Sequence, residues 1–409
     1  MAAELTFAYS GRDADDKVVK GRMDAGSERA ALQQMRTMGL SPISIVPARP
    51  VRGLNMDLRL PGYTKPVGLA DLAVMSRQMA TMTAAGLSLL RTLIILSEQT
   101  ENRRLAQVLS VIRSDVETGM SLSQAFDKHE VVFPPIMINL VRAGEIGGFL
   151  EDSLNSIADN FETEVRLKDT IKSALAYPMI VMIMAVLAVI GMLIFIVPVF
   201  DDMFAQLGGE LPVATQMLVH LSNVMLWVGP VLVIGGVAGW IWWGKNRHTE
   251  RVRHVIDPLK LRLPVFGPLL AKLAIARFSR NFATMIGAGV PILSSLKIVG
   301  ETSGNWVIEE ALQKVQESVS HGRSIAGPLA LEPVFPAMVT QMIAVGEDAG
   351  ALEQMLRKIA DFYDQEVQAT TKQLTALIEP LMIAFIGVVV GGMVVALYLP
   401  MFNVFDYVH

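Results

Sequence analysis

The chain has 409 residues, enough for two or three domains, and its 52% apolar against 18% charged residues is too apolar a balance for most soluble proteins. A formal net charge of −4 gives no argument for a nucleic-acid partner, and the absence of cysteine excludes disulfides, thiolate metal sites and cysteine nucleophiles.

In chain order, residues 1–46 read as a small α/β domain. Residues 6–9 and 18–25 have strand character around a turn-rich stretch at 11–16. A helix fits residues 27–38, with Ser27 as N-cap, Ala30, Leu32 and Met35 facing inward and Gly39 as its stop. The opening residues have neither the basic start nor the apolar core of a secretory signal, so the first 170 or so residues are expected to stay on the side where they are made. Residues 47–68 mix Pro47, Pro50, Pro61 and Pro66 with glycines and scattered arginines, and read as a flexible linker.

From Leu69 the apolar period becomes helical. Leu72, Met75, Met79 and Met82 make a stripe of the kind that forms a packed core or an adaptable surface between subunits, and Ala85-Gly86 ends that helix. Ser88, Asn102 and Ser121 are placed to cap three further helices, Pro134 to open another, and the last begins near Gly148 and runs without a break toward the membrane. Residues 69–173 are therefore expected to form a cytoplasmic helical bundle.

No charged residue lies between Lys172 and Asp201, between Glu210 and Lys245, or between Glu379 and Asp406. Each gap exceeds the roughly 20 apolar residues a helix needs to cross a hydrocarbon core. Transmembrane helices are predicted at 174–200, 217–243 and 378–400. Between them lie an outward loop at 201–216, a basic segment at 244–271 expected along the membrane interface, and a second cytoplasmic bundle at 272–377, with an outward tail at 401–409. Orientation follows from Lys and Arg near the span ends. Arg166, Lys168 and Lys172 precede span one and Lys245, Arg247, Arg251 and Arg253 follow span two, whereas the loop with Asp201, Asp202 and Glu210 has no basic residue. The N-terminus and both bundles are thus expected in the cytoplasm and the C-terminus outside.

The two bundles repeat one another about 200 residues apart. Ser76-Arg77, Ala80-Thr81-Met82 and Ala85-Gly86 return as Ser279-Arg280, Ala283-Thr284-Met285 and Ala288-Gly289. Phe133-Pro134, Gly144-Glu145, Gly148 and Glu164-Val165 return as Phe335-Pro336, Gly346-Glu347, Gly350 and Glu366-Val367. Both copies run into a span through Tyr177-Pro178 or Glu379-Pro380, which mark the candidate points where the chain enters the membrane. Two copies facing the same way need an odd connecting span, which span two supplies, so a parallel repeat with a pseudo-twofold axis along the membrane normal is expected.

No phosphate loop, dinucleotide fingerprint, zincin or hydrolase motif occurs, and the six histidines have no metal-ligand spacing, so no catalytic, cofactor-binding or metal-binding residue is assigned. A small-solute transporter built from a parallel repeat is the alternative, but such pathways need ionisable groups at mid-membrane, which the spans lack. The best special site is the repeated Gly-Glu-x-x-Gly, Gly144, Glu145 and Gly148 with Gly346, Glu347 and Gly350. Structurally it reads as a tight turn in which the first glycine closes one helix and the carboxylate sits at the N-terminus of the next; functionally it reads as a docking or hinge point for a partner.

These motifs in this order, with Ala174-Leu175-Ala176-Tyr177-Pro178, Gly209-Glu210-Leu211-Pro212 and Leu263-Pro264-Val265-Phe266-Gly267, resemble the family of general secretion pathway protein F and the type IV pilus assembly platform protein PilC. The resemblance covers nearly the whole chain. It implies a mainly α, polytopic membrane protein without enzymatic activity or cofactor, in the bacterial inner membrane. Its implied partners are the lipid bilayer, a cytoplasmic secretion or pilus ATPase, pilin or pseudopilin subunits, other inner-membrane assembly proteins and further copies of itself in a symmetric homo-oligomer.

Overall fold

A computed structural model describes residues 5–12, 18–25, 28–37, 39, 41–47, 65–207, 212–246, 249–264 and 266–407. The chain divides into two compact units, residues 1–64 and 65–409. In the first, β1 (Leu5–Arg12) lies between β2 (Val18–Ala25) and β3 (Ser41–Pro47), antiparallel to both, with α1 (Glu28–Thr37) before β3. Ala31 is its buried contact, with Ala30 and Leu32 half-buried. Gly39, at φ +76°, ends the helix as expected, whereas the expected cap Ser27, the side chain of Met35 and most of the expected linker lie outside the described residues. The sequence reading missed β3, whose alternating Ile43, Ile45 and Val46 follow a proline that speaks against a strand.

The second unit opens with α2 (Leu69–Ala84), α3 (Leu89–Gln99), α4 (Arg103–Glu117), α5 (Leu122–Asp127) and α6 (Pro135–Gly147). The expected caps form: Ser88 Oγ accepts the Arg91 N–H, Asn102 Oδ1 those of Arg104 and Leu105, and Ser121 Oγ that of Gln124. The stripe from Leu72 through Met75 to Met79 is buried in the core. Next comes α7 (Leu150–Gly191), which passes through one π-helical turn at Met192–Ile196 into α8 (Val197–Leu207). After α9 (Val213–Asn246) and α10 (Glu250–Arg262) the bundle recurs as α11 (Gly267–Gly287), α12 (Ile292–Thr302), α13 (Trp306–Ser320), α14 (Ala326–Leu329) and α15 (Ala337–Asp348), followed by α16 (Leu352–Tyr407). The repeated Phe-Pro has a packing cause: Phe133 stacks on Phe126 with centroids 4.3 Å apart, and Phe335 meets Phe278 edge-on at 5.2 Å.

Three helices are long and apolar enough to cross a membrane. Their outer faces carry exposed Ile180, Leu187, Leu232, Ile234 and Val388, while Trp240, Trp242 and Trp243 sit beside Lys245 as an interfacial aromatic cluster. Between the spans, Leu193, Val197, Met393 and Leu397 form a buried cluster. Thr215 and Ser222, two turns apart on α9, donate to the carbonyls of Ala396 (2.5 Å) and Leu193 (2.6 Å), which ties α9 to both other spans.

The expected boundaries shift at several places. Residues 201–207 and 213–216, read as loop, are helical, as are 401–407 of the expected tail. The second bundle starts at Gly267 rather than 272, and the segment read as interfacial folds as α10. One face of α10 packs on α13 through Asp257, which accepts the Trp306 N–H at 3.1 Å, and of its large apolar residues Val255 and Leu259 stay exposed, with Leu263 just beyond its end.

The pseudo-twofold relation expected of the copies does not extend to their bundles among the described residues. α7 and α16 do lie side by side in parallel, with Leu167 beside Val367 in one buried cluster and Leu193 beside Met393 in the next. Around them, however, α6 and α7 pack on α12 and α11, and no packing of similar extent joins α15 and α16 to α3 and α2 among the described residues. A twofold contact is reciprocal; this one is head to tail. At its centre the buried amide of Asn160 donates to Asn281 Oδ1 at 2.9 Å, beside the ion pair Arg277–Glu164 at 2.7 Å. Asn281→Leu leaves the Asn160 amide buried without that acceptor, and is expected to lower stability by about 1 to 3 kcal/mol in urea unfolding of the detergent-solubilised chain.

Candidate functional site

Both Gly-Glu-x-x-Gly elements fold alike, and not as the sequence suggested. Gly144 does not close its helix: α6 continues to Gly147, and Gly148, at φ +73°, makes the reversal while the Phe149 N–H returns to the Gly144 carbonyl at 3.0 Å. Gly350, at φ +62°, is its counterpart, with the Ala351 N–H on the Gly346 carbonyl. The first glycine is needed for close approach. A Cβ on Gly144 would stand 2.9 Å from Leu150 Cα, and one on Gly346 3.0 Å from Leu352 Cα, so no side chain fits where the long helix crosses the preceding one.

The carboxylates also point elsewhere than expected. Glu145 accepts the N–H groups of Leu122 (2.5 Å) and Ser123 (3.0 Å), and Glu347 those of Ile325 (2.6 Å) and Ala326 (2.9 Å). Each therefore caps the short helix that precedes it, where unpaired N–H groups attract an anion, and not the long helix that follows. The six residues are brought together three by three, and their groups serve contacts inside each repeat.

The repeated Ser-Arg carries a second paired feature, whose partners lie beyond any helical spacing. Arg77 grips Glu162 with two hydrogen bonds, at 2.7 and 2.9 Å, and also Asp159; Arg280, at the matching place, binds Asp364. Each pair locks the first helix of a bundle to the long helix that enters the membrane. The two differ in burial. Hydrogen bonds from Arg77 hold the Glu162 carboxyl below its ordinary value, whereas burial pushes that of Asp364 up, aided by Asp361, against the pull of Arg280.

At the membrane the candidate residues do not break the helices: Tyr177 and Pro178 lie within α7, Glu379 and Pro380 within α16. Tyr177 and Glu379 are exposed and Pro178 is buried. Pro178 has no N–H to give the Ala174 carbonyl one turn back, and Thr375 of α16 reaches that oxygen at 3.5 Å. Among the described residues no group of His, Asp or Glu is arranged to hold a metal ion.

Two outcomes check these assignments. Glu145→Ala and Glu347→Ala are each expected to cost about 2 kcal/mol in thermal unfolding, from the loss of charge-assisted caps; unchanged stability with lost assembly would give these carboxylates to a partner instead. Arg280→Met strands a largely buried carboxylate and is expected to cost about 3 kcal/mol at neutral pH, most of it recovered in Arg280→Met/Asp364→Leu. Because the Asp364 carboxyl titrates above its unfolded value, the folded state holds its proton more tightly, so the cost should grow as pH rises from about 4 toward neutrality and shrink on acidification. For Glu162, depressed in the fold, the opposite holds: its contribution is complete above its ordinary value of 4.5 and lost as pH falls below it.

The profile of the family described as Type II secretion system (T2SS), protein F matches this chain twice, over residues 75–198 and 278–400. That of the Type II secretion system protein F, N-terminal domain matches residues 1–46. The chain is 42% identical to the Type IV pilus assembly protein PilC of Thermus thermophilus, over 97% of this chain and 98% of that one. Its identity to the protein of the same name from Myxococcus xanthus is 40%, over 98% and 95% of the two chains. The Type II secretion system protein F of Xanthomonas campestris is 32% identical over 97% and 98%. With the family's repeat matched in both bundles, its N-terminal domain matched once and relatives aligned over nearly the whole length, this multi-pass, mainly α-helical membrane protein belongs to the type II secretion system protein F family.

Proposed function

We propose that this protein is an inner-membrane platform for type IV pilus assembly that couples a cytoplasmic ATPase to the polymerisation of pilin subunits. The observation that carries this reading is mechanical. α7 and α16 each run from a cytoplasmic bundle into the membrane as one helix, so a displacement imposed on a bundle moves a span directly. The Arg77 and Arg280 clamps join each of these helices to the first helix of its bundle, which makes the bundle and the span move together. The pilus branch is preferred to secretion of pseudopilin-dependent cargo because the relatives named for pilus assembly share more identity with this chain than the one named for secretion. In the proposed topology the N-terminal domain and both bundles are cytoplasmic and the C-terminus is outside, following the basic residues that flank spans one and two.

Charge-free spans support packing and anchoring rather than a small-solute pathway, so purified protein in liposomes should give no substrate-dependent flux, and affinity capture from the membrane should recover the assembly ATPase. The direct test breaks the helix. Arg166 is an exposed residue of α7 between bundle and membrane. Arg166→Pro should abolish surface pili while the protein still inserts and accumulates, whereas Arg166→Ala should assemble normally. Pili at wild-type level in the proline variant would remove the coupling role from this helix.

A further inference from the structure

Within the chain α10 uses only one side of its surface. On that side Asp257 is buried against α13, and the cations beside it are matched by acids of the protein: Arg253 pairs with Glu309 at 2.7 Å and Lys260 with Asp257 at 2.9 Å. The opposite side carries one row, at steps of four, four and three residues, of Arg251, Val255, Leu259 and Arg262. All four are exposed, Val255 at 65% and Leu259 at 60%, and neither arginine has an ion pair among the described residues. The row begins at the edge of the membrane. Span two ends in exposed Trp240, Trp242 and Trp243 with Lys245, the residue types of a membrane–water boundary. There the Thr249 N–H bonds to the Asn246 carbonyl at 2.9 Å, so that α10, beginning at Glu250, is held close to the end of α9.

We propose that the row from Arg251 to Arg262 is a membrane-surface site, which lies on the bilayer and recognises anionic phospholipid headgroups. Three observations select this occupant. The first is continuity: the row follows a membrane span after one tight turn, so the headgroup layer is the surface nearest to it. Held upright, a helix of this length would carry Leu259 into water, whereas laid along the boundary it keeps Val255 and Leu259 level with the tryptophans. The second is the order of the row. Two apolar side chains between two arginines let the apolar pair enter the acyl boundary while the arginine stems reach up to the phosphates. The third is charge. The cations on the inner side are neutralised within the protein and those of the row are not, and the acids of α10, Glu250 and Asp257, both lie off the row. Guanidinium groups bind phosphate through two parallel N–H donors, and the two arginines stand about 16 Å apart along the helix, farther than one headgroup reaches, so the row gathers separate lipids. Because Asp257 and Arg253 fix α10 to α13, this contact seats the second bundle on the bilayer. The proposal does not rest on the platform role, since it concerns lipid contact alone.

Absence of native cysteine lets one site be labelled at a time. The full chain carries an environment-sensitive dye at Leu259→Cys or, as a control, at Glu151→Cys, an exposed position near the start of α7 and about 30 Å of helix before Lys172. Each is reconstituted into phosphatidylcholine vesicles with or without phosphatidylglycerol, together with a lipid that bears a nitroxide quencher near its headgroup. The dye at Leu259→Cys is expected to lose most of its fluorescence in the anionic vesicles and less in the neutral ones, while the control keeps its own in both. Adding Arg251→Gln/Arg262→Gln, two exposed changes, should bring the anionic result down to the neutral one. No more quenching at Leu259→Cys than at the control, in chains that insert as the parent does, would overturn the proposal; a blue-shifted but unquenched dye there would overturn it by showing that protein, a second copy or a partner, covers the row. Equal quenching in both kinds of vesicle, or quenching that the glutamine changes leave intact, would overturn it as well, because the row would then not read headgroup charge.

Discussion

Leu167 and its neighbours on α7, seated between α11 and α16, fix the relation between the two halves of the long unit. Apolar contact supplies the attraction there, and the Asn160–Asn281 hydrogen bond and the Arg277–Glu164 pair supply its register, because a buried amide or a charge displaced by one turn would lose its partner. Once that seat is made, the two membrane helices run parallel and meet again at Leu193 and Met393. The same seat also explains why the halves are not equivalent. One groove is filled and one is open.

Within the membrane, the governing cost is that of an unpaired backbone group. The chain meets it with long helices, and at Pro178, which removes an N–H, the Thr375 hydroxyl, bonded at 3.0 Å to the Thr371 carbonyl of its own helix, lies 3.5 Å from the Ala174 carbonyl. Thr215 and Ser222 use the same chemistry to hold α9 to both other spans, the latter on the carbonyl of Leu193 inside the π-helical turn. Polar residues that look scattered along apolar segments thus act as ties between helices. Their positions agree with a bundle that packs as a unit and carries no charged path.

Much of this was legible in one dimension because it depends on local periods. Helix starts at Ser88, Asn102 and Ser121, the left-handed stops at Gly39 and Gly86, and the charge-free spans each follow from residues within a few positions of one another. The candidate site was found in sequence but misread. Gly144 and Glu145 were recognised as special through their repetition, yet a glycine that admits a crossing helix and one that closes a helix look the same in a sequence. Glu145 was given to the helix after it because that helix is nearer along the chain, whereas its bonds go back to Leu122 and Ser123. Arg77 and Arg280 lay in the quoted repeat, but their acidic partners are more than eighty positions away, beyond any helical spacing.

The sequence by itself determined the duplication, the helical content, the three spans and the parallel sense of the copies, since each is written in hydrophobic period and in the distribution of charge. Only the tertiary structure decided how the copies meet. Two similar surfaces can pair reciprocally or in series, and the choice turns on differences at a few contact positions, such as Asn160 against Phe362 and Arg277 against Val74, whose energies exist only once helices distant in sequence touch. A repeat fixes what is packed; the contacts fix that it is packed head to tail.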